Sequence, residues 1–195
     1  MLDLLNEIKT HWDHIDVLIN CAGGFGSIGA ISQTDSKEWL ETIKVNLYGP
    51  YLLTKHFLPL LSKSNSPKIL NFSGGGAFNP FPNYSAYSSA KAALVRFTET
   101  VAVELAPLGI TVVAVAPGNV ATNAHKATLI AGAKLAGEFS YKRALNTLDE
   151  GGVPMASVVN CVKRLISRQV GGLTGKTISA NFDPWSTNEF VEYIN

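Results

Sequence analysis

With 195 residues, 46% of them apolar and 16% charged, the chain is long enough for one compact domain and too short for two, which excludes a disordered tail protein. Lys and Arg number 16 against 15 Asp and Glu, a formal charge of +1, so no global field draws the chain to nucleic acid or an anionic membrane. Cys21 and Cys161 cannot build a disulfide framework or a four-ligand zinc site, and neither a leader pattern nor a membrane-length apolar run is read, so the expectation is a cytoplasmic protein with a small-molecule partner.

Leu2, Leu5, Ile8 and Trp12 recur at helical spacing and predict a helix over 2–12. The branched run IDVLIN over 15–20 follows as a strand. Asp35 and Glu38, in capping-box spacing, open a helical pattern over 35–62 that Gly49-Pro50 should bend or split, because proline lacks the amide donor. KILNFS over 68–73 is the next strand. Ala90, Leu94, Phe97, Val101 and Leu105 then mark a buried helical stripe over 87–106, ending before Pro107 and Gly109. ITVVAV over 110–115 is apolar on both alternating faces. Residues 119–152, rich in Ala, Lys and Gly, form the least regular piece, either a surface excursion or a mobile lid. A last helix over 154–168 leads through Gly171-Gly172 and Thr174-Gly175 to a strand over 177–181.

Alternating strands and helices, with strands apolar on both faces, predict an α/β three-layer sandwich around a parallel sheet, built as a single domain over 1–195. In such a sheet ligands bind outside the carboxyl ends of the strands. The turns there read Asn20-Cys21-Ala22-Gly23-Gly24, Ser73-Gly74-Gly75-Gly76 and Pro117-Gly118-Asn119-Val120-Ala121-Thr122. Tyr87 and Lys91, four apart at the start of the long helix, share one face, and a cation beside a phenol lowers its pKa from about 10. That is what a tyrosine working as proton donor and acceptor near neutral pH requires.

Asn20-Cys21-Ala22-Gly23, Asn46 within VNLYG, the ILNFS strand, Tyr87-Ser88-Ser89-Ala90-Lys91, Pro117-Gly118 with Thr122, and Leu173-Thr174-Gly175 stand in one order and spacing. In this the chain resembles the short-chain dehydrogenase/reductases over essentially its whole length. The resemblance implies a Rossmann-like fold and hydride transfer between NAD or NADP and an alcohol or carbonyl substrate. It assigns Tyr87 as acid/base, and Lys91 as the residue that holds the nicotinamide ribose and depresses the tyrosine pKa. Asn46 anchors a water in the proton relay, while Thr122 with the Pro117-Gly118 turn meets the carboxamide. Asn20, Ala22 and Gly23 line the cofactor and steady the sheet. A homodimer or homotetramer through the helices at 37–62 and 87–106 is also implied, and Trp39, Phe57 and Phe97 add large apolar surface there.

Two departures qualify the resemblance. The family's serine, which polarises the substrate oxygen thirteen positions before the tyrosine, is replaced by Gly74. Losing one such donor costs ~10² to 10³ in rate. Ser73, Ser85 or the amides of 74–76 are the candidate substitutes, although a one-residue shift on a strand turns a side chain to the other face. Second, the family's glycine-rich first βαβ part has no counterpart, so the N-terminal strands are missing, on the order of 70 to 80 residues at ~30 or more per βαβ unit. The chain reads as a fragment, a truncated product or an oddly assembled relative, with poor cofactor affinity, weak or absent activity, and 15–20 as an apolar edge strand. The alternative is a catalytically silent scaffold that binds a ligand or a protein partner.

Gly24, Gly26 and Gly29 spell G-x-G-x-x-G but do not open a helix, so they are not read as a phosphate turn. His11 and His14 read as a solvated helix face, with no metal site. Cys21 reads as a small buried side chain, and Asp183-Pro184-Trp185 as a packed turn.

Overall fold

The computed structural model describes residues 2–167 and 172–187, together with Phe190 and Glu192. Four strands, β1 (Val17–Asn20), β2 (Lys68–Phe72), β3 (Thr111–Ala116) and β4 (Thr177–Ser179), lie side by side in that order, every pair parallel. Ile19 pairs with Leu70, Leu70 with Val113, and Val115 with Ile178.

Alternation along the strands sends apolar residues to both faces, which is why Ile69 and Leu70, and Val112 and Val113, follow one another without a polar residue between them. On one face Ile69 and Val112 pack with α1 (Leu2–His11), α3 (Gly49–Leu61) and α4 (Ser85–Leu105), through Leu5, Leu60, Leu61, Val101 and Leu105. On the other, Leu70, Val113, Val115 and Ile178 meet Val158, Cys161 and Leu165 of α7 (Met155–Ile166). Each fully buried Val, Leu or Ile contributes about 1.5–3 kcal/mol. The expected three-layer α/β architecture is the one observed. Arg168 and Gly171, assigned above to the last helix and its turn, lie outside the described residues.

The long helical pattern divides as its sequence requires. Asp35 accepts a hydrogen bond from the Glu38 amide at 2.9 Å and opens α2 (Ser36–Ile43). The chain then widens into a π turn over Lys44–Tyr48, closed by the Gly49 amide on the Lys44 carbonyl, before α3 begins. Pro50 has no amide for the Asn46 carbonyl, and one wide turn accommodates that deficit. Asn46, buried, therefore sits in the bulge itself.

The segment 119–152 is more regular than expected. It forms α5 (Asn123–Ala136), kinked at Gly132, and α6 (Glu138–Glu150), with an antiparallel bridge between Val120 and Gly152 closing its base. Its Ala, Leu and Lys content favours helix, and glycine marks the kink and the joint. Trp39, Phe57 and Phe97 also differ from expectation: Phe57 lies in the core, Phe97 packs on that core, and Trp39 Nε1 donates to Ser85 Oγ at 3.0 Å. The exposed apolar residues of these helices are instead Leu40, Val45, Tyr48, Tyr51 and Val103. Among the described residues no helix is long and apolar enough to cross a membrane.

A buried polar chain ties β1, β2 and α4 together. Asn20 Nδ2 donates to Asn71 Oδ1 at 2.8 Å, Asn71 Nδ2 to Thr98 Oγ1 at 2.9 Å, and Thr98 Oγ1 to the Leu94 carbonyl at 2.8 Å. Asn71→Ala strands buried partners on both sides, so urea denaturation should show a loss of about 2–3 kcal/mol. A loss below about 0.5 kcal/mol would mean the chain is not structural.

Candidate active site at the carboxyl ends of the strands

Because every strand is parallel, the turns after β1, β2 and β3 open at one edge of the sheet. Asn46 reaches the first turn from the π bulge: its Nδ2 donates to the Gly24 and Thr42 carbonyls, each at 2.9 Å, and its Oδ1 accepts from the Gly24 amide at 3.4 Å. Lys91 reaches the same place from α4, and its Nζ donates to the Phe72 carbonyl at 2.7 Å. A Cβ on Gly23 would stand 2.7 Å from Asn46 Oδ1 and 3.4 Å from Lys91 Nζ, so the missing side chain is what lets the three converge. Burial draws the Lys91 ammonium down to about 8, offset in part by Cys21. Cys21 is exposed rather than buried, because the turn carries it outward past the end of β1.

Tyr87 lies one turn earlier on α4, and Lys91 Nζ is 5.7 Å from its ring centroid. The pair shares a face, as its spacing requires, yet the expected acidification is reversed. Burial pushes the Tyr87 hydroxyl up to about 12, since desolvation penalises phenolate and the ammonium bonds to a carbonyl instead. Tyr87 is 9% exposed. Phe25 packs edge-on to its ring at 4.9 Å and Phe81 at 6.4 Å.

Gly74 is defined by that hydroxyl. A Cβ there would collide with Tyr87 Oη and stand 3.1 Å from Cζ, so the phenol fills the volume a serine side chain would need. Ser73 is buried, its amide donates to the Val115 carbonyl at 2.8 Å, and its Oγ has no partner. Ser85 Oγ is engaged by Trp39. Ser88 Oγ holds the glycine turn to α4 through the Gly76 carbonyl at 2.9 Å.

The other candidates stand apart from this cluster. Asn20 turns inward to Asn71, and Ala22 is exposed on the turn. Pro117 and Gly118 end β3, with Gly118 at φ 79°, where a Cβ would meet Val153 Cγ2 at 2.9 Å. Thr122 precedes α5, and its carbonyl accepts from the His125 amide at 3.0 Å. The glycines at 24, 26 and 29 open no helix, as read above; the Ser27 amide there donates to Thr42 Oγ1 at 3.1 Å.

Sequence reading missed the aromatic group around Tyr87. Tyr84 is fully buried, stacks on Phe81 at 4.2 Å, and shares a hydrogen bond of 2.9 Å with Thr128 of α5. Phe25 touches Tyr84 at 5.0 Å and His125 at 6.1 Å. The recurrence of aromatic residues every third position through Phe78, Phe81, Tyr84 and Tyr87 is the signal that was available. One cleft of about 730 Å³ opens beside Gly23, Thr42 and Asn46, and another of about 370 Å³ beside Asn119 and α6; Tyr87 and Lys91 line neither.

Comparison with known proteins places these features in context. A family profile described as short chain dehydrogenase matches residues 1–130. Short chain dehydrogenase andI of Emericella variicolor is 31% identical over 177 residues, covering 91% of this chain and 56% of the relative. The KRED1-Pglu enzyme has a TM-score of 0.81 at 25% identity, covering 91% of this chain and 73% of that one. An NAD+-bound xylitol dehydrogenase shares the fold, with a TM-score of 0.79 at 22% identity over 91% of this chain and 72% of its own. The chain spans about half the length of the curated relatives it matches.

Two measurements test this geometry. Gly74→Ala should lower stability by about 1–3 kcal/mol through overpacking, and most of that should return in the double variant with Tyr87→Phe, which removes the colliding oxygen. Additive losses would show that Gly74 does not make room for Tyr87. For Lys91, the folded pKa of about 8 lies below the unfolded 10.5, so between those values the unfolded chain binds the extra proton and stability rises with pH. Wild type should gain on the order of 3 kcal/mol relative to Lys91→Met across that window in denaturation series. A flat difference would show that the amine is solvated.

Proposed function

The chain belongs to the short-chain dehydrogenase family, and from that premise we propose that it serves hydride transfer between a nicotinamide cofactor and an alcohol or carbonyl substrate. The observation that carries this reading is the meeting of the Lys91 ammonium, Asn46 and the open backbone of Gly23 at the carboxyl edge of a parallel sheet, with the Tyr87 ring 5.7 Å from Lys91 Nζ. When bound, NAD or NADP supplies or accepts the hydride.

This chain's own residues do the rest. Lys91 spends one of its three donors on the Phe72 carbonyl and stands at the Gly23 turn with two unspent among the described residues, which suits a ribose diol. Gly23 lines the site at this meeting, Ala22, Pro117, Gly118 and Thr122 flank it from the neighbouring turns, and Asn20 steadies the sheet through Asn71. Asn46 holds the Gly24 turn from both its carbonyl and its amide, and so fixes the shape of the turn after β1 that a bound cofactor would meet. Tyr87 gives its proton to the substrate oxygen. With the hydroxyl held up to about 12 it is a donor at neutral pH, so its resting state serves carbonyl reduction; oxidation must first remove that proton. Ser73, with a buried unpartnered Oγ, is the remaining side-chain hydroxyl on the β2 turn, Gly74 having none to offer. Exposed Val45, Tyr48, Tyr51 and Val103 supply an apolar face on which a homodimer or homotetramer would form.

The burial of Tyr87 favours a second reading, a silent scaffold that keeps the ligand cradle and has lost turnover. Fluorescence titration with NADH and NADPH, joined to cofactor oxidation over a panel of ketones and aldehydes, separates the two. Turnover that falls at least about 10²-fold in Tyr87→Phe supports the enzyme. Binding without turnover supports the scaffold, and the absence of both defeats each.

A further inference from the structure

Gly24-Phe25-Gly26 opens no helix, and what its glycines do instead is deliver one ring. The turn is fastened to α2 and its π bulge on both sides of Phe25. Before it, Asn46 Nδ2 donates to the Gly24 carbonyl at 2.9 Å, and Asn46 Oδ1 accepts from the Gly24 amide at 3.4 Å. After it, Thr42 Oγ1 accepts from the Ser27 amide at 3.1 Å while donating to the Glu38 carbonyl at 2.9 Å. Gly26 stands at φ 58°, and a Cβ there would collide with Thr42 Oγ1, so any other residue would push the turn off its anchor. Phe25 carries the only side chain of the three, and the two clamps fix the backbone from which it projects.

Its ring enters a cluster drawn from α4, the segment before it and α5. The centroid lies 4.9 Å from Tyr87 and 5.0 Å from Tyr84, both steeply inclined to it, 5.8 Å from Phe81 and 6.1 Å from His125. Among the described residues, the titratable groups that face Tyr87 from the packed elements are Lys91 and Tyr84 on α4 and, behind Phe25, His125 on α5. The turn after β1 brings Cys21 toward Lys91, and the turn after β2 brings the backbone of Gly74 to the hydroxyl. No carboxylate stands in this set, and the Lys91 ammonium is bonded to the Phe72 carbonyl. Burial is accordingly the cause that raises the Tyr87 hydroxyl to about 12.

We infer that Phe25 is a positioning residue for the reaction, acting through Tyr87: the Gly24-Phe25-Gly26 turn sets its ring against the phenol and keeps water from the hydroxyl, so that the loop after β1 governs how firmly the tyrosine holds its proton. The use of that proton rests on the hydride-transfer reading; the shielding rests on the turn and the rings.

The test reads tyrosinate absorbance at about pH 10.5, each chain taken against its own Tyr87→Phe counterpart so that the remaining tyrosines cancel, with circular dichroism at the same pH to verify the fold. Lys91, at about 8, and His125, held below its ordinary value, are both neutral there. Tyr87 should be about 3% ionised in wild type and at least about fivefold more so in Phe25→Ala. Phe25→Leu, which keeps apolar bulk, should show less than about half of that rise. Phe81→Ala should also fall short of it, its ring lying 6.4 Å from Tyr87 rather than 4.9 Å. Should Phe25→Ala misfold, Phe25→Gln, of similar reach but polar, takes its place with the same expectation. Where turnover is present, the high-pH decline of kcat/KM for carbonyl reduction should begin at least about one pH unit earlier in the alanine variant. A rise under fivefold in a folded variant, a leucine variant as ionised as the alanine one, or a Phe81→Ala that equals Phe25→Ala overturns the inference. Ionisation that moves as expected in a chain that reduces nothing retires the hydride reading alone, and turnover with unmoved ionisation retires this one alone.

Discussion

The site depends on a single buried ammonium. Lys91 Nζ on the Phe72 carbonyl fixes the long helix α4 in register over the end of β2, and with it every group that the helix delivers. A charge taken out of water is tolerated only where a good acceptor meets it, which leaves few positions for the helix to adopt. Once Lys91 is set, Tyr87 falls one turn earlier over Gly74, and Ser88 reaches the Gly76 carbonyl to hold the turn beneath it. Asn46 does from the π bulge what Lys91 does from α4, bringing a second element to the turn after β1. Two helices and two strand ends are thereby locked by side chains that each bond to backbone.

How far this could be read in advance depended on whether the information was local. The strands were legible because a sheet covered on both faces needs runs such as KILNF and TVVAV, and the π bulge was signalled by Pro50, whose missing amide any helix must accommodate. Tyr87 and Lys91 were legible as neighbours because i, i+4 spacing is a property of the helix alone. Their protonation was not. Proximity follows from spacing, but the dielectric around the hydroxyl comes from Phe25 and Phe81, residues brought there by the fold. The pair at 119–152 was obscure for a related reason: Gly132 and Gly137 break the periodicity, so two short helices looked like none.

Gly74 shows how one substitution reads differently at the two levels. In the sequence it is an absent hydroxyl, a lost donor in the oxyanion position. In the structure it is space, occupied by the phenol that would otherwise face a serine. The two descriptions are coupled. A donor restored at 74 would expel the tyrosine oxygen from where it now sits, so the serine and this placement of Tyr87 exclude each other on steric grounds. Relocation of polarising chemistry elsewhere, to Ser73 or to the substrate's own anchoring groups, is therefore the change that leaves the Lys91 and Tyr87 framework intact.

Burial moves Tyr87 and Lys91 in opposite directions on the pH scale but toward the same physical state, a neutral phenol beside an amine that gives up its charge readily. Near neutral pH such a pair carries only the Lys91 charge, and its acidity is governed by what shields it. Phe25 is that shield, edge-on to Tyr87 at 4.9 Å and in contact with His125 on its other side. The loop after β1 thus sets the proton affinity of a residue on α4, because the aromatic face it presents is what keeps water from the hydroxyl.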